Sequence, residues 1–108
     1  SHSGMLAVAA AVIIAPIAEE LFYRGFLFGA LSQRFGALVA CIVTIVVFSL
    51  AHLWQTWGAW GAVTSLVLTA VVLTLLRWWT GSVTVPMLVH LVHNGIIVYF
   101  SLASTETG

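Results

Sequence analysis

Lysine does not occur in this chain of 108 residues, and charge of either sign is scarce: Arg24, Arg34, Arg77, Glu19, Glu20 and Glu106 are all of it. A soluble domain needs about a quarter of its residues charged to cover its outside, so a water-facing exterior is excluded and the surface must meet hydrocarbon. The formal net charge is zero, which leaves no basic patch for nucleic-acid phosphates and excludes a nucleic-acid partner. The single cysteine, Cys41, excludes an internal disulfide and a cysteine zinc site. Residues 1–4 lack the positive charge of a signal peptide and read as a linker ahead of one transmembrane unit, residues 5–108.

What the chain has in abundance is apolar residues, 62% of the total with a mean hydropathy of +1.17. They fall into four stretches, residues 5–31, 37–53, 58–77 and 82–102. Each is close to the roughly 17–25 residues that a helix needs to cross a bilayer. The breaks "SQRFG", "WQTWGAWG" and "RWWTGS" are so short that consecutive helices must be antiparallel neighbours. Trp54, Trp57 and Trp60 would mark one membrane surface, and Trp78 and Trp79 the other. A transmembrane barrel would need alternating polar positions, which these runs lack. The expected fold is therefore all-α, a polytopic membrane bundle of about four transmembrane helices.

Against this background the stretch "EELFYRG", residues 19–25, stands out, because Glu19 and Glu20 fall well inside the first span. An ionised group at that depth costs at least ~2.5 kcal/mol, so it should face the bundle interior and have a partner or a task. Helical spacing puts Glu20 and Arg24 on one face at i,i+4, an internal ion pair. Glu19 points about 100° away, on the side of Tyr23. Pro16 removes a backbone hydrogen bond nearby and should kink or open the helix.

Polar partners for Glu19 lie on other spans: His52 at the end of the second, with Phe48 one turn below its ring, and His90, His93 and Asn94 on the fourth. His90 and Asn94 share a face at i,i+4, whereas His93 reads as a bystander satisfied by a backbone carbonyl or by the interface. Helical rise counted from the Arg34 end places Glu19 at roughly 22 Å and His52 at roughly 27 Å, depths similar enough to form a cluster. Two acids, a base, two histidines and an asparagine fit either a hydrolytic centre or the proton relay of a small non-enzymatic membrane subunit. A relay strings its groups along the membrane normal, while a hydrolytic site gathers them at one pocket.

The three segments Glu19-Glu20-Leu-Phe-Tyr-Arg24, Phe48-Ser-Leu-Ala-His52 and His90-Leu-Val-His-Asn94 resemble, in order, the signature of the CAAX protease and bacteriocin-processing family of intramembrane proteases, also called CPBP or ABI. Its CAAX prenyl protease 2-like branch removes three residues from a prenylated C-terminal CaaX sequence, and bacterial relatives serve peptide maturation or bacteriocin self-immunity. The resemblance implies an endopeptidase acting on a peptide or protein substrate, with or without a prenyl group, in a prokaryotic plasma membrane. It makes Glu19 the general base and has His52 orient the water. His90 and Asn94 become the oxyanion donors. Glu20 and Arg24 would fix the first helix, with Tyr23 and Phe48 around the site. No cofactor is expected. The alternative is zinc held by Glu19, His52 and His90, although the chain has no HExxH spacing and one histidine per helix gives no local chelate. Family members usually carry further helices, so the chain looks like the catalytic core of a larger protein or an unusually small member. Neither composition nor resemblance gives an oligomeric state.

Overall fold

The computed structural model describes residues 1–107. Among them four helices are long and apolar enough to cross a membrane: α1 (His2–Phe35), α2 (Ala37–Thr56), α3 (Trp60–Thr80) and α4 (Thr84–Thr107). No strand occurs among the described residues. The reason is the solvent: a backbone in hydrocarbon must satisfy its own polar groups, and a helix does this within one segment. Each helix packs on the next, and α4 returns to α1, closing the bundle around a shared interior.

The breaks are shorter than the polar clusters of the sequence suggest. α1 runs through Ser32, Gln33 and Arg34, and Gly36 alone separates it from α2, at φ 90° and ψ 167°. That backbone conformation is essentially open only to glycine. At the other end of the bundle α3 continues through Trp78 and Trp79 to a left-handed Gly81, whose N–H bonds to Arg77 O at 3.0 Å. Arginine and serine are compatible with a helix, so only the glycine geometry ends it. At the N-terminal end residues 2–4, read from the sequence as linker, lie in the first helix, and the Ser1 hydroxyl accepts the Gly4 N–H at 3.1 Å.

Around Pro16, α1 opens into π-helical turns at Ala10–Ile14 and Leu21–Leu27, which flank Pro16, Glu19 and Glu20. The Ala15 N–H reaches back five residues to Ala10 O just before the proline, where a tight turn would clash with the ring. Such π turns are often found at functional sites.

The burial pattern is that of a membrane protein, apolar outside and partly polar inside. Large side chains such as Leu6, Phe26, Leu38 and all five tryptophans are exposed, with Trp54, Trp57 and Trp60 at one end of α3 and Trp78 and Trp79 at the other. Glu20, Arg24, Thr44 and Thr74 have no exposed surface at all. A small apolar cluster of Phe28, Ala40 and Cys41, with Leu31 against it, ties α1 to α2 on the far side of Arg24 from the carboxylates. In the "GFLFG" stretch, which suggests close packing at both glycines, a side chain at Gly25 would touch Glu20 O and Val83, whereas one at Gly29 would meet nothing.

Candidate active site

The second π turn sets the geometry of the site. The Phe28 N–H bonds to Gly25 O and Tyr23 O and passes over Arg24 O. That carbonyl instead accepts the Arg77 Nε–H from α3 at 2.8 Å, while the Arg77 guanidinium lies 4.9 Å from the centre of the Phe28 ring. α1 is thereby fixed to α3 at the level of its charged residues.

Arg24 Nη1 donates to Glu20 Oε2 at 2.9 Å and Nη2 to Ala70 O on α3 at 3.3 Å. Its guanidinium also lies 4.5 Å from the centre of the Phe48 ring, a cation–π contact, and 5.9 Å from that of Tyr23, whose ring meets Phe48 edge-on at 5.0 Å. The expected Glu20–Arg24 pair is therefore present and fully buried. His90 adds to it: its Nδ1 lies 2.9 Å from the same Glu20 Oε2. An ionised carboxylate only accepts, so Nδ1 carries a proton and Nε2 is the nitrogen turned the other way.

That nitrogen faces Glu19, 3.7 Å from Oε2. His52 faces it from the other side, with Nε2 3.5 Å from Oε1. The His52 tautomer is fixed in the same manner, because Nδ1 donates to Phe48 O at 2.8 Å and the Phe48 ring lies 4.3 Å from the imidazole. Two imidazole Nε2 atoms thus converge on one carboxylate. Neutral imidazoles would aim lone pairs at its oxygens, and a hydrogen must lie between them, supplied by water or by an additional proton on a ring. Glu19 is 31% exposed where Glu20 is sealed, so of the two acids only Glu19 is open to water.

Glu19, Phe48, His52, His90 and Asn94 line one cavity of about 360 Å³. A larger hollow of about 720 Å³ beside Trp78 and Trp79 is lined by Val72, Leu75 and Leu76 with no acid or histidine, so chemistry rather than size locates the site. The cavity also has walls that sequence reasoning missed, Gln55, Ser65 and Thr69, and His93, read there as a bystander, lines it too. Ser65 and Thr69 lie at i,i+4 on α3, and that register is the signal that could have found them. His93 is not satisfied by a carbonyl, since its Nδ1 is buried with no hydrogen-bond partner.

The donor set of Glu19, His52 and His90 is of a kind that binds zinc. Among the described residues, however, no three His, Cys, Asp or Glu side chains are grouped so as to hold a metal ion.

Comparison with known proteins places this geometry in context. No solved structure matches the chain significantly. The membrane-embedded CAAX protease MroQ of Staphylococcus aureus (strain USA300) is 28% identical over 100 residues, 87% of this chain and 38% of the relative. The chain thus spans well under half the length of that relative. The family model for type II CAAX prenyl endopeptidase Rce1-like proteins matches residues 1–96, which include Glu19, Glu20, Arg24, Phe48, His52, His90 and Asn94. A match over so much of the chain, on a bundle of four apolar helices, settles its kinship: the protein is a membrane-embedded member of the Rce1-like type II CAAX prenyl endopeptidase family.

Proposed function

We propose that the chain is the catalytic core of an intramembrane endopeptidase in which Glu19 activates a water molecule against a peptide bond near the C-terminus of its substrate. The observation that carries this reading is the contrast between the two acids. Glu20 is consumed by Arg24 and His90, while Glu19 is open to the cavity between two imidazole Nε2 atoms.

In this mechanism water donates one hydrogen to Glu19 and the other towards His52 Nε2, which its Phe48 bond leaves as an acceptor. Glu19 takes the proton as the water oxygen attacks the carbonyl carbon. The oxyanion then receives the Asn94 amide N–H and the His90 Nε2–H. His90 already donates Nδ1–H to Glu20, so it serves as an imidazolium in that step, with Glu20 as its counter-ion. Two carboxylates, one guanidinium and one imidazolium leave the buried cluster without net charge. Collapse of the adduct breaks the C–N bond, and the Glu19 carboxylic acid returns its proton to the departing amine. The reading uses the protein's own side chains and no cofactor.

A proton relay would need its groups spread along the bilayer normal; the convergence of Glu19, His52, His90 and Asn94 at one cavity supports hydrolysis instead. The kinship with a named CAAX protease of a bacterium supports a CaaX-like peptide or protein substrate and a prokaryotic plasma membrane. To test the reaction, reconstituted protein is given farnesylated and unprenylated CaaX peptides in water enriched in oxygen-18. In a single turnover with enzyme in excess, a cut peptide with one heavy oxygen in its new carboxylate is expected; a product without it would have taken its oxygen from the Glu19 carboxylate and would refute direct attack by water.

A further inference from the structure

The cavity does not end at the catalytic residues. Ser65, Thr69 and His93 also line a groove of about 460 Å³ between α3 and α4. Leu68, Val72 and Val89 form its outer wall and are themselves exposed on the lipid-facing side of the bundle. A substrate segment leaving the cavity by this route passes His93 at the junction.

The state of that imidazole is constrained. Nδ1 is buried and unpartnered, and Nε2 is not orphaned in the same way. A buried N–H without an acceptor is disfavoured more than a buried lone pair without a donor, which favours the tautomer with its proton on Nε2 and makes that nitrogen the donor. The neighbouring Thr69 hydroxyl has no proton to offer, having given it to Ser65 O at 2.8 Å. An extended peptide carries a carbonyl at every residue and needs donors of this kind wherever it lies against apolar walls.

We propose that His93 anchors the bound peptide, its Nε2–H donating to a main-chain carbonyl of the segment that leaves the catalytic cavity along the α3–α4 groove. The assignment rests on the peptidase reading and makes His93 a substrate-positioning residue, distinct from the groups that act on the scissile bond.

Three substitutions separate this role from a structural one. Glutamine places an amide N–H near the position of Nε2, asparagine near that of Nδ1, and leucine offers none. His93→Leu and His93→Asn are expected to raise KM for a CaaX peptide about three- to tenfold, the loss of one hydrogen bond, with kcat within about twofold of the parent. His93→Gln should stay near the parent KM. His93→Leu should also melt no lower than the parent, because it removes a buried nitrogen that has no partner. Unchanged KM in His93→Leu, at any melting temperature, overturns the proposal. Should the parent cut no peptide, the peptidase reading fails, and the His93 assignment is then judged by fluorescence binding of the same labelled peptide to Glu19→Gln protein. Weaker binding after His93→Leu upholds the anchor, while equal or absent binding refutes it.

Discussion

Replacing Arg24 by methionine keeps most of the side chain's bulk and removes its charge. In the parent, that charge holds Glu20 Oε2 at 2.9 Å, caps Ala70 O at 3.3 Å and covers the Phe48 ring, all without exposed surface. The substitution leaves the Glu20 carboxylate with His90 as its remaining charged partner. Breaking one side of a buried pair costs about 3–5 kcal/mol, a large share of the 5–15 kcal/mol that typically holds a domain folded. Glu20→Gln alone strands Arg24 and should cost about the same. The double variant has no buried charge left in the pair, and its glutamine oxygen still accepts His90 Nδ1–H. It should recover most of the loss and lie within about 1–2 kcal/mol of the parent. The assay is reversible unfolding in detergent micelles, read as a double-mutant cycle, with an expected coupling of about 3 kcal/mol or more. Losses that merely add in the double variant, or an Arg24→Met variant less than about 1 kcal/mol below the parent, would refute the argument.

Two further outcomes follow from the same structure. Gly36→Ala forces a side chain into the φ 90° connection between α1 and α2, and it should cost about 1–3 kcal/mol in the same unfolding assay although nothing lies within 4 Å of the new methyl; a neutral result would mean that the connection is not held in this conformation. Treatment with tight chelators should leave peptide cleavage intact, whereas loss restored specifically by zinc would replace the glutamate mechanism with a metal one.

The four spans and the convergence of α1, α2 and α4 are legible in the sequence because lipid makes every polar side chain conspicuous. Glu19, His52, His90 and Asn94 stand among so few buried polar residues that helical register alone brings them towards one point. The part played by α3 is hidden for the opposite reason. It holds Arg24 through the Ala70 carbonyl, and its Arg77 takes the Arg24 carbonyl that the π turn exposes, so one end of each contact is backbone and carries no residue signature. The π turns themselves depend on hydrogen-bond choices between neighbouring carbonyls, which the apolar pattern does not encode. His90 shows a third limit. Spacing within a helix pairs Glu20 with Arg24, yet only the packing of α4 on α1 reveals that one imidazole spans both carboxylates.

The central claim is that Glu19, and not its buried neighbour, is the base. Cleavage of a quenched-fluorescent CaaX peptide by reconstituted parent and Glu19→Gln protein tests it most directly, since glutamine keeps the size and loses the basicity. A fall of about 10²-fold or more in kcat, in a variant that melts like the parent, is the predicted result. Retained turnover in the folded Glu19→Gln protein would contradict it.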